Sequence, residues 1–157
     1  MTIEDLIASA NELTPPPPAA AGEFEQKRER LAEALNERLL ARADLSRLIG
    51  EDNEAMMQDN SRNLCRFLSS LFAAYEPEVL VRTVLWVFRA YRSHGFQLTF
   101  WAAELDEFLA VLRDQLTSAT ADAVSPFCTW MVVQIPAFTE LSDQQLQPLD
   151  EEPPAHD

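Results

Sequence analysis

Glycine occurs at three positions in this 157-residue chain, Gly22, Gly50 and Gly95. Two-residue hairpin turns and phosphate-cradling loops both need residues that accept positive φ, and glycine is the usual one. Three glycines are too few for a sheet-rich protein full of tight turns. They also leave no Walker or dinucleotide loop. Helix is the remaining way to organise a chain that is 47% hydrophobic, and the apolar residues recur at helical spacing almost throughout.

Residues 2–13 read as a short amphipathic helix, capped by Thr2 with Asp5 three residues on. The run Pro15-Pro16-Pro17-Pro18 and the small residues to Gly22 then read as a semi-rigid polyproline linker. This makes residues 1–22 a tethered arm that either packs on its own body or reaches another chain. From Glu23 to Ile49 the residues Phe24, Leu31, Leu35, Leu39, Leu45 and Ile49 form a narrow apolar stripe. Gly50 stands where a helix C′ residue belongs. A helix capped by Asp52 or Asn53 follows, to about Tyr75, with Asn53 and Asn60 inside its apolar face. Pro77 opens the next, 77–94, whose apolar arc covers more than half its wheel. Thr99 caps a helix over 100–115 carrying the stripe Trp101, Leu105, Phe108, Leu112, with Asp106 and Glu107 on its outer face. Residues 117–125 read as a small polar loop or turn. Ser125-Pro126 then starts a helix that Pro136 ends. Trp130–Ile135 has a strand-like composition, but no second strand is present to pair with it. Ser142 opens a last turn, and the acidic tail beyond is read as disordered.

The expected fold is therefore all-α. One domain of about six helices spans 23–141, between a helical arm and proline linker (1–22) and an acidic tail (142–157). The length suits one core. The formal net charge is −14, which excludes a general affinity for nucleic acid or anionic membrane. The flanks hold −8 of that charge, and residues 76–95 are net +1. Cys65 and Cys128 lie in apolar helical contexts and read as reduced core thiols. With no basic leader and no apolar run near the roughly 20 residues of a membrane span, a cytoplasmic protein is expected.

Catalytic constellations are missing from the sequence. The two histidines are His94 and His156, no cysteine pair has ligand spacing, and no nucleophile elbow accompanies His94. The expected activity is thus non-enzymatic, and no cofactor is indicated. The polar and aromatic residues left over are the candidate ligand-binding set. Asn60 is an amide on an apolar helical face, which must find partners or bear a desolvation cost. Arg82 and Arg89, with Arg92, form a strip on the most apolar helix, suited to an anionic group or a partner surface. His94 closes that helix, and Trp86 and Trp101 head an aromatic surplus that suits an apolar pocket.

The stretch Leu85 to Leu116, LWVFRAYRSHGFQLTFWAAELDEFLAVLRDQL, joins a packed helix to an amphipathic one through a Gly-Phe corner. It resembles the middle of bacterial globin-like helical sensor domains, the non-haem globins that head stressosome-type regulators. The resemblance implies a globin-like fold and a regulatory role, without a haem ligand, since His94 lies at a helix end. Taken together, the expectation is a bacterial sensory module that binds a small apolar or anionic ligand. The alternatives are an adaptor that docks a protein partner or a second copy of itself and, less favoured by the residues, an enzyme of unknown type.

Overall fold

A computed structural model describes residues 1–144, which form eight helices and no strand. The acidic tail beyond Gln144 lies outside the described residues. The helices are α1 (Ile3–Ala10), α2 (Pro18–Leu40), α3 (Leu45–Ile49), α4 (Glu54–Ala73), α5 (Pro77–Arg92), α6 (Thr99–Gln115), α7 (Ser118–Val133) and α8 (Ile135–Gln144). The all-α fold read from the apolar periodicity is the observed one.

The charge-rich α2 is the organising element. Its stripe Phe24, Leu31, Leu35 and Leu39 is fully buried, and α4, α6 and α7 pack along it. A narrow stripe suffices because each neighbour takes a different part of the same face. At one end Phe24, Phe72, Phe127 and Tyr75 stack edge to face with centroids 5.0–5.2 Å apart. The arginine-bearing helix α5 lies on the other side. Its close backbone neighbours are α1 and α8.

The arm is not a tether. Leu6 and Ala10 are fully buried in the common core. The Tyr75 hydroxyl donates to the Ala10 carbonyl, and Trp130 Nε1 donates to Ser9 Oγ at 3.0 Å. Thr2 and Asp5 close a capping box at its start. Of the two readings for residues 1–22, α1 packing on its own body is the observed one. The linker is also shorter than expected. Pro18 is the first residue of α2, after Pro17 in extended geometry, so the helix runs through Gly22. Proline at the first helical position loses no hydrogen bond, which is why the run does not delay the helix to Glu23.

The chain after Leu116 departs most from the sequence reading. Residues 118–133 are one helix with Pro126 inside it. The start signal is not local. Glu23, on α2, accepts hydrogen bonds from the Thr117 backbone N–H (2.8 Å), the Thr117 hydroxyl (2.7 Å) and the Thr120 hydroxyl (2.6 Å). A carboxylate supplied by another helix thus caps α7 at its positive end. Interior proline removes one helical bond. The helix continues because Val124, Phe127 and Cys128 on either side of it are fully buried. Trp130–Val133 is accordingly helical. Pro136 sits in the first turn of α8 rather than ending a helix, and Ser142 falls in the last turn of α8 rather than starting one. Its hydroxyl donates to the Thr139 carbonyl.

Candidate functional site

Residues of α4, α5 and α6, with Met131 of α7 and Ile135 of α8, enclose a cavity of about 430 Å³. It occupies the space where α5 stands off from α4 and α6. That spacing follows from side-chain size: Trp86, Phe88 and Tyr91 on α5 and Trp101 on α6 all line the cavity. The Phe88 and Trp101 rings stack at 5.1 Å, and Tyr91 meets Trp101 edge-on at 5.8 Å. These rings brace one another and leave a gap instead of filling it. Leu64, Val84, Val87 and Leu105 complete an apolar wall.

Polar groups enter this wall at a few points. Asn60 donates through Nδ2 to Glu104 Oε2 at 2.6 Å, and both residues are buried. Burial pushes the Glu104 carboxyl up to about 8, with the Asn60 hydrogen bond opposing that rise in part. Among the described residues no cation is a cause of that shift. At pH 7 the group is therefore mostly a neutral acid. Thr83 also lines the cavity, and its buried hydroxyl has no hydrogen-bond partner. Toward the surface, Arg66 donates to Asn63 Oδ1 at 2.9 Å.

Deeper in the core, two thiols feel the same carboxyl. Cys65 and Cys128 are free and buried, and burial holds both thiols protonated, pushing Cys128 up to about 12. The charge of Glu104 adds to the rise in each case. They are core thiols in character, as their sequence context implied. Among the described residues no group of three or more His, Cys, Asp or Glu side chains is placed to hold a metal ion.

Three of the six residues singled out from sequence meet here: Asn60, Trp86 and Trp101. The other three lie elsewhere. Arg82 is exposed on α5, pairs with Glu78 at 2.8 Å and borders a shallow groove beside α1. Arg89 is half-buried and does not line the cavity. His94 is exposed beyond the end of α5, where its carbonyl accepts from Asn53 Nδ2 at 2.8 Å. The arginine strip is thus not assembled into an anion cradle: Arg82 is paired with Glu78, and Arg92 bonds Asp143 and Ser142 of α8. The reason is geometric, since the strip lies on the side of α5 turned away from the cavity.

Glu104 and Thr83 were not among the residues expected from sequence. The signal for Glu104 was present, because it stands three residues after Trp101 and four before Phe108. That spacing puts a carboxyl within the apolar stripe. Thr83 gave no comparable signal, because a β-branched threonine in an apolar helix is unremarkable. No helix among the described residues is long and apolar enough to cross a membrane. No protein-family model, curated protein or solved structure matches the chain.

Proposed function

We propose that this protein is a non-enzymatic sensory or regulatory module that takes a small amphipathic ligand into the cavity between α4, α5 and α6. The observation that carries this reading is the pairing of an aromatic, preformed cavity of about 430 Å³ with polar groups that have capacity to spare. Glu104 receives a hydrogen bond from Asn60 and no cation, and Thr83 has no partner. A core selected for stability alone would replace such groups with apolar ones, since buried polar atoms without full partners cost about 1–3 kcal/mol each. Pockets that recognise small molecules combine an apolar wall with a few convergent polar groups.

The globin-like resemblance of residues 85–116 supports the sensory reading from a separate direction. That stretch contributes Trp86, Val87, Phe88, Tyr91, Trp101, Glu104 and Leu105 to the wall. The adaptor reading rests on helix faces and on the first helix, and that helix, α1, is packed on its own body.

Calorimetric titration with eight-carbon amphiphiles tests the proposal. Saturable binding to the wild type is expected, together with its loss in Val84→Phe, which places a ring in the cavity. Equal heats for both proteins would place the ligand elsewhere and overturn the reading.

A further inference from the structure

The cavity has a polarity that narrows its ligand further, on the premise that it is a binding site. Its innermost titratable group is an acid, and its walls are aromatic. Glu104 is wholly buried, and its surroundings on the neighbouring elements are Asn60 and Cys65 of α4, Tyr91 of α5 and Cys128 of α7. None of these is a cation. The thiols and the phenol are all held protonated by burial, so they do not compete with Glu104 for a positive group. The cation that lines the cavity is Arg66. It is exposed, engaged with Asn63, and separated from bulk water by little protein. An anion held there would gain a screened interaction only. The same charge opposite buried Glu104 would interact at low dielectric.

We propose that the ligand is an amphipathic monocation, an alkyl or arylalkyl ammonium, whose charged head pairs with Glu104 while its apolar part lies against Trp86, Phe88, Tyr91 and Trp101. Aromatic faces favour an ammonium group over a neutral head of the same size through their quadrupole. The ligand supplies the counter-charge to Glu104 that the surrounding side chains do not provide. Thr83 adds a hydroxyl oxygen that can accept from an ammonium N–H. Binding has a defined proton balance. The free pocket holds Glu104 protonated. The incoming ammonium favours the carboxylate, and the carboxyl proton leaves to solvent. No bond within the ligand is made or broken. The chain's formal net charge of −14 assists the approach of a cation and opposes that of an anion.

The test is a calorimetric comparison of n-octylamine, n-octanol and octanoate on the full chain near pH 7, each below its solubility limit and below the onset of micelle formation. Octylamine should bind at least tenfold more tightly than octanol. Its heat should differ between buffers of high and low ionisation enthalpy by an amount corresponding to nearly one proton released per ligand. Glu104→Gln should lose that proton release and the preference for octylamine, while octanol binding is kept. Octanol or octanoate binding as tightly as octylamine would overturn the cation assignment and leave the pocket reading standing. So would octylamine affinity unchanged in Glu104→Gln. Absence of binding by all three compounds would overturn both. The ranking on the wild type decides the matter independently of the variant.

Discussion

The side-chain amide of Asn60 lies 2.6 Å from a carboxyl oxygen of Glu104, and the pair joins α4 to α6 in the middle of the molecule. One amide donor does not offset the loss of water around a carboxylate, so the carboxyl is pushed up from its ordinary 4.5 to about 8. The unfolded chain releases this proton near 4.5, whereas the folded chain keeps it until about 8. Between those values the unfolded state binds fewer protons, so stability falls as pH rises, and it levels off above about 8. Glu104→Gln has no such titration and keeps a group that can meet Asn60. Its stability relative to the wild type should grow across the window, by an amount on the order of a few kcal/mol. Urea denaturation at several pH values between 5 and 8 measures it, and a constant separation of the two proteins would contradict the buried-acid account.

Thr83 presents the same economy on a smaller scale. Its buried hydroxyl has no partner and faces the cavity. Thr83→Val keeps the branched shape and replaces the hydroxyl with a methyl group, so it should stabilise the free protein by about 1 kcal/mol. If the hydroxyl serves a bound head group, the same substitution should weaken ligand binding by a few fold. Thermal denaturation and titration of one variant therefore move in opposite directions. A loss of stability would show that the hydroxyl is satisfied within the fold.

How far the sequence reaches is seen by comparing Asn60 with Thr117. Asn60 stood out because an amide on an apolar helical face has a consequence at any tertiary arrangement: it must be paired or bear the cost. The helical stripes of α2, α4 and α6 were legible for the same local reason. The start of α7 was not, because its cap comes from Glu23, 94 residues away. Local signals then favoured Ser125-Pro126, a sound start that this chain does not use. The arginine strip illustrates a further limit. Periodicity placed Arg82 and Arg89 on one side of α5 but could not say that the cavity lies on the other.

Glu23 gathers Lys27, Thr117 and Thr120 around one carboxylate, and those hydrogen bonds hold it well below the usual carboxylate range. A depressed native value means stabilisation that is fully present above the unfolded value of about 4.5 and is lost as pH falls through the native value. Glu23→Gln should therefore be less stable than the wild type at neutral pH and approach it in acid. Faster amide exchange should appear first at Thr117, whose N–H loses its carboxylate acceptor, and in the first turn of α7 that it anchors. Uniform exchange along the chain would show that Glu23 does not act as that cap.

Asn53 pins the corner from which α6 departs. Its Nδ2 donates to the Ile49 carbonyl at 2.7 Å and to the His94 carbonyl at 2.8 Å, closing the ends of α3 and α5 against each other. Gly50 and Gly95 meet at this point with φ of 83° and 100°, a conformation that favours glycine, and a Cβ on Gly50 would stand 3.4 Å from the Gly95 carbonyl oxygen. The Gln97 backbone N–H completes the joint by donating to the Leu48 carbonyl at 2.8 Å. Asn53→Ala leaves two carbonyls without this donor and should cost about 1–2 kcal/mol. Because the corner sets the angle between α5 and α6, the same change should also loosen the cavity. Fluorescence of Trp86 and Trp101 would report that as a red shift at temperatures below the unfolding transition. A stability loss with unchanged emission would confine the role of Asn53 to the corner itself.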